Sequence, residues 1–108
     1  MRTALTVAGS DSIGGAGIQA DIKAMSVLEV HATSVITAVT AQNTQGVDGI
    51  FPVPEDFVQA QLESVLKDCD IKAVKTGMLY SAEIVETVAD ILEDHDVPLI
   101  VDPVMVSG

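Results

Sequence analysis

The sequence has one cysteine, no tryptophan, and only five lysines and arginines in 108 residues. A lone Cys69 excludes an internal disulfide, so nothing calls for an oxidising compartment. His31 and His95 lie far from it and from each other, in none of the spacings of a zinc site. The aromatics Phe51, Phe57 and Tyr80 are too few for base-stacking platforms, and the basic residues too few for the patch that holds nucleic acid. No apolar run approaches the roughly 20 residues that cross a bilayer. Met1-Arg2-Thr3 leads straight into a short apolar segment broken at Gly9, too short for the signal-peptide pattern, so none is expected. Neither a membrane nor nucleic acid is therefore an expected partner, and the cytoplasm is the expected location.

What is present is apolar and acidic. Hydrophobic residues make up 48% of the chain, enough to bury a core, and 16 acidic residues bring the net charge to −11. The length suits one domain of roughly 50–200 residues. The acidity reads as solubility or adaptation to salt rather than as the mark of a partner.

Strand and helix patterns alternate. Residues 3–8 form a short apolar run closed by Gly9, a buried strand. Ile18, Ile22, Met25 and Leu28 recur at helical spacing, so residues 16–29 read as a helix. Residues 33–41 are a β-branched second strand, and Gln42-Asn43-Thr44-Gln45-Gly46 a polar loop. Pro54-Glu55-Asp56 opens a helix whose stripe is Val58, Leu62, Val65 and Leu66. Ile71–Thr76 is the third strand. Ser81 caps a helix with the stripe Ile84, Val88, Ile91 and Leu92, and Pro98 opens a fourth strand, Leu99-Ile100-Val101. Such alternation implies a parallel sheet with right-handed crossovers and helices on both faces. Ligands then bind beyond the carboxyl ends of the strands, at Gly9-Ser10-Asp11, Gln42-Asn43, Thr76-Gly77-Met78 and Asp102-Pro103-Val104.

The glycine-rich segment AGSDSIGGAGIQAD, residues 8–21, joins the first strand to the first helix. Gly9 and Gly14 have the spacing of a nucleotide-phosphate loop, but Gly15 and Ala16 stand where lysine and a hydroxyl residue are needed. Residues 15–20 match the dinucleotide pattern G-x-G-x-x-A. That pattern also needs an acid near the end of the second strand, and no Asp or Glu occurs between Glu29 and Asp48. A tight turn that merely packs helix on strand is the third reading.

The segment resembles the N-terminal signature of the hydroxymethylpyrimidine and phosphomethylpyrimidine kinases of thiamine biosynthesis, which are ribokinase-like enzymes. The resemblance continues through SVITAVTAQNTQGV (34–47), VKTGML (74–79) and VDPVMVSG (101–108), and so covers the chain from end to end. It implies a three-layer α/β/α fold with a mainly parallel sheet, of which residues 1–108 would be the N-terminal half of one domain, about four strands and three helices. It implies Asp21 and Gln42 as pyrimidine contacts, Gly9 as backbone lying against the ring, Met78 and Val104 as apolar walls, and Asp102 near Mg²⁺ or phosphate. ATP is the implied phosphoryl donor and a homodimer the implied assembly of the full-length enzyme. Pyridoxal kinases share parts of the pattern and remain the alternative, beside a non-catalytic pyrimidine-binding remnant.

Some positions depart from the resembled family. Ile13 replaces a small polar residue, Glu29 replaces a helix-ending glycine, and Val106-Ser107-Gly108 lacks a lysine. No Gly-Thr-Gly-Cys or Gly-Thr-Gly-Asp loop occurs, and Cys69, between Asp68 and Asp70, is not that family's reactive cysteine. Lys72 and Lys75 lie on or beside the third strand, outside any phosphate loop. No catalytic residue is expected in these 108 residues, and the chain alone is expected not to turn over.

Overall fold

Leu5 and Val7 alternate with Thr6 and Ala8, and all four are buried. A strand buried on both faces belongs inside a sheet covered on both sides. The computed structural model describes residues 1–102 and places that strand at the centre of the sheet. The elements are β1 (Thr3–Ser10), α1 (Gly17–Val27), β2 (His31–Asn43), β3 (Gly46–Pro52), α2 (Glu55–Asp68), β4 (Ile71–Thr76), α3 (Ala82–Glu93) and β5 (Leu99–Val101). The strands lie in the order β3-β2-β1-β4-β5, all parallel except the antiparallel pair β2 and β3.

One face of the sheet carries Leu5, Val7, Val35 and Val74. They form a single apolar cluster with Val58 and Leu62 of α2 and with Ile84, Val88 and Leu92 of α3. Each such side chain contributes about 1.5–3 kcal/mol when fully buried. The opposite face of β1 belongs to α1, which packs on β1 and β2 and meets Thr6 through Asp21. The α/β/α layering expected from the sequence is therefore present.

The helix signals read from the sequence operate as expected. Ser81 Oγ accepts a hydrogen bond from the Ile84 N–H at 3.2 Å, and Glu55 and Asp56 occupy the first turn of α2. Glu29, where a helix-ending glycine was expected by resemblance, adopts the left-handed φ of 60° itself.

The sheet has five strands rather than about four. Gln42 and Asn43 are the last residues of β2 instead of a loop, and the chain then turns back into β3. The pairing slips between Ala41 and Gln42, and β3 lies exposed along its whole length. Before β3 begins to pair, the backbone of Ile36 is satisfied by Gln61 of α2. That side chain accepts from the Ile36 N–H and donates to its carbonyl, both at 2.9 Å.

The strand order reverses at β1. From β1 the chain passes to β2 and β3 on one side, then returns to β4 and β5 on the other. The connections leaving β1 and β4 diverge there and leave a crevice at the carboxyl end of the sheet.

Candidate functional site

That crevice holds a cleft of about 310 Å³. All four strand ends expected to converge contribute to it: Gly9 and Ser10 after β1, Gln42 at the end of β2, Gly77 and Met78 after β4, and Asp102 after β5. The volume lies at the lower end of the range for small-molecule sites and suits a single substituted ring.

The glycine-rich loop is folded around its own carboxylate. Asp11 is 4% exposed. Its Oδ1 accepts from the Ile13 N–H at 3.0 Å and its Oδ2 from the Ala16 N–H at 2.9 Å. The Asp11 N–H donates to Gln19 Oε1 at 2.9 Å, and Gln19 Nε2 donates to Ser10 Oγ at 2.6 Å. Amides that would cradle a phosphate are thus committed to Asp11, whose charge also opposes an anion. The loop's work is packing: Gly17 has φ 63°, and a Cβ there would stand 2.3 Å from the Gly9 carbonyl oxygen. Gly9 is equally constrained, since a Cβ would stand 2.5 Å from Met78 Cε. Met78 therefore lies directly over Gly9, and Thr37 Oγ1 holds the Met78 carbonyl at 2.7 Å.

Asp21 lines the cleft, as expected, but its oxygens are engaged within the protein. Oδ2 accepts from Thr6 Oγ1 at 2.6 Å, and Oδ1 is ion-paired with Lys75 Nζ. Thr6 and Lys75 are lateral neighbours in the β1–β4 register, so both side chains reach α1 from the same face of the sheet. Lys75 also lies 3.4 Å from Asp102 Oδ2. Burial pushes the Lys75 pKa down, but hydrogen bonding and charge from Asp21, then from Asp102, outweigh it and hold the ammonium above the ordinary lysine value.

Gln42 stands at the opposite wall. Its backbone is clamped by Ser12, whose hydroxyl oxygen lies 2.7 Å from the Gln42 carbonyl and 2.8 Å from its N–H. Its side chain lies against Thr40 Oγ1. The cleft therefore brings together Gly9, Asp21, Gln42, Met78 and Asp102, while Val104 lies outside the described residues. Sequence reasoning did not single out Lys75, Thr6 or Thr40 as parts of the site, and it named Asp11 only as the end of the first strand. A signal for Lys75 existed, because a lysine inside a β-branched strand covered on both faces needs a carboxylate partner.

Residues 11–108 match the phosphomethylpyrimidine kinase family. The chain belongs to that family. A hydroxymethylpyrimidine/phosphomethylpyrimidine kinase of Streptomyces coelicolor is 61% identical over 103 residues, covering 95% of this chain and 38% of that protein. The crystal structure of a phosphomethylpyrimidine kinase from Clostridium difficile superposes with a TM-score of 0.93 at 46% identity, covering 99% of this chain and 47% of the other. A pyridoxal kinase of Bacillus subtilis, solved as an ADP complex, superposes with a TM-score of 0.91 at 37% identity, covering all of this chain and 42% of the other. The chain thus spans less than half the length of these relatives.

Within this phosphomethylpyrimidine kinase family member, the described residues do not form a nucleotide cradle. Lys75 is the one cation lining the cleft among the described residues, and two carboxylates hold it. No group of three or more His, Cys, Asp or Glu side chains gathers among the described residues to bind a metal ion. Asp102 presents one partly exposed carboxylate, and Mg²⁺ commonly takes one or two from its protein. No helix among the described residues is long and apolar enough to cross a membrane.

Proposed function

We propose that the cleft is the acceptor-substrate side of a kinase of thiamine biosynthesis. The reaction would move the γ-phosphoryl group of ATP to the hydroxymethyl oxygen of 4-amino-5-hydroxymethyl-2-methylpyrimidine, and a second phosphoryl group to the resulting monophosphate. The observation that carries the reading is the composition of the cleft. Gly9 backbone and Met78 offer flat apolar contact, and Gln42 offers hydrogen bonding from the wall. Lys75 in the cleft is already neutralised, so the site favours a neutral ring over an anion.

Phosphoryl transfer is largely positioning and charge stabilisation. In this reading the described residues do the positioning. The ring rests against the Gly9 backbone and Met78, Gln42 fixes its rotation, and the hydroxymethyl group is directed toward the mouth near Asp102. ATP would bring the phosphoryl group, and Mg²⁺ would bring the countercharge that Lys75, held by Asp21 and Asp102, does not supply. Asp21 is engaged with Thr6 and Lys75 and does not serve as the base. The 108-residue chain accordingly binds the acceptor without turning it over, and homodimerisation belongs to the same proposal.

Calorimetric titration tests this directly. The aminopyrimidine is expected to bind the chain more tightly than pyridoxal, with Gln42→Ala weakening it about tenfold, the loss of one good hydrogen bond. A coupled assay with ATP is expected to show no pyrimidine-dependent ADP release. Tighter binding of pyridoxal would favour the pyridoxal kinase reading, and turnover by the chain alone would refute the division of labour.

A further inference from the structure

Thr40 Oγ1 lies 2.7 Å from the Ser10 carbonyl oxygen and 2.7 Å from the side-chain oxygen position of Gln42. Thr40 is 8% exposed, so solvent relieves neither contact. A threonine hydroxyl has one proton to give. The Ser10 carbonyl is an acceptor fixed in the backbone of β1 and cannot turn. A primary amide can turn over, exchanging its oxygen and nitrogen in nearly the same space, and its hydrogen-bond partners decide the orientation. If Thr40 donates to Gln42, its oxygen meets the Ser10 carbonyl oxygen at 2.7 Å with no proton between them, and the two oxygens repel. If Thr40 donates to Ser10, its oxygen accepts from Gln42 Nε2 and both contacts become hydrogen bonds.

We infer that Thr40 is a positioning residue that locks the Gln42 amide with Nε2 on Thr40 and Oε1 turned into the cleft, so that this wall accepts a hydrogen bond from its ligand. Gln42 lines the cleft, and Ser12 clamps its backbone on both sides, so the amide has little other freedom. A ring that presents an amino group there is bound. A ring that presents a carbonyl or phenolate oxygen there sets two acceptors face to face. Thr40 therefore makes the cleft selective for amino-substituted rings by acting through Gln42. The selectivity rests on the reading of the cleft as an aminopyrimidine site, whereas the amide orientation does not.

Two measurements separate these layers. In the free 108-residue chain, nuclear Overhauser contacts are expected between the Gln42 Nε2 protons and the Thr40 methyl group. Contacts absent from a spectrum in which both groups are assigned would overturn the orientation. The ratio of affinities for 4-amino-5-hydroxymethyl-2-methylpyrimidine and its 4-oxo analogue then reads the consequence. A preference of about tenfold or more is expected for the amino ring. Thr40→Ser keeps that ratio, and Thr40→Val, similar in shape and in strand preference, brings it to within about threefold. Gln42→Glu, whose carboxylate can only accept, keeps the amino preference. An unchanged ratio in a folded Thr40→Val, or a reversed ratio in Gln42→Glu, would refute the inference, and Gln42→Glu serves even if Thr40→Val does not fold. A wild-type chain that binds neither ring removes the aminopyrimidine reading, and the Overhauser contacts still decide the amide.

Discussion

Lys75 and Asp21 stand 54 positions apart in the chain, and their pairing closes the gap between β4 and α1. The ammonium contributes only while it is charged. Its pKa in the folded protein lies above the ordinary value of 10.5, so its contribution is fully present below about pH 10 and is lost as pH rises through the folded value. Replacing Lys75 with Met removes charge and keeps most of the stem. We expect the variant to unfold about 2 kcal/mol more readily at pH 7, a typical loss for a partly buried, charge-assisted hydrogen bond. The gap to the wild type should hold up to about pH 10 and narrow as pH rises past 10.5 in urea titrations. A gap that stays constant with pH would mean that the methylene stem, not the charge, is what matters. This pair also marks a limit of sequence reading. Asp21 was legible as a candidate through the family resemblance, but its partner was not, because periodicity carries no information about contacts between distant segments.

At the scale of elements, α1 ends in a hydrogen-bonded turn that calls for glycine. The Val30 N–H donates to the Met25 carbonyl at 2.8 Å and the Glu29 N–H to the Ser26 carbonyl at 3.1 Å, which is the Schellman pattern with Glu29 at the left-handed position. A side chain there costs roughly 1–2 kcal/mol, and the greater flexibility of unfolded glycine offsets part of any relief. Glu29→Gly should therefore raise stability by about 1 kcal/mol in urea unfolding, and Glu29→Ala, which keeps a Cβ, should not. Equal effects of the two would assign the gain to lost charge instead. The helices were legible because their apolar stripes repeat over three or four turns and their starts carry chemical signals such as Ser81. β3 was not. Gly46 and Gly49 argue against a strand, Pro52 ends it, and its apolar residues Val47, Ile50 and Phe51 do not alternate. The slip in pairing between Ala41 and Gln42 accounts for the broken period, and exposure along the whole strand removes the burial that would have enforced one. The site inherits the same asymmetry. Its strand ends could be named from the fold class, while Thr40 and Thr6, ordinary residues of β-branched runs, acquire roles only through the neighbours that the sheet register supplies.

Across the whole molecule, 16 Asp and Glu side chains stand against five Lys and Arg, and the net charge is −11. The ion pairs identified among the described residues take up two of the cations, Lys72 and Lys75, and so neutralise little of that excess. The charge keeps the chain soluble near neutrality but sets the compact state against its own repulsion. At about 10 mM salt the Debye length is roughly 30 Å, comparable with the 38 × 32 × 20 Å extents of the fold, so nearly all the carboxylates repel one another. At about 150 mM it falls to roughly 8 Å and only near neighbours do. The melting temperature should therefore rise by several degrees between these two sodium chloride concentrations at pH 7. The Lys75 to Asp21 pair, partly shielded in the cleft wall, loses less to screening than the surface gains. Mild acidification toward the isoelectric point near 4.1 works in the same direction, because it lowers the net negative charge. Salt that lowers the melting temperature would show that local ion pairs outweigh the global repulsion. Repeating the titration with Lys75→Met separates the two contributions, because removing the pair should leave the rise with salt in place and make it steeper.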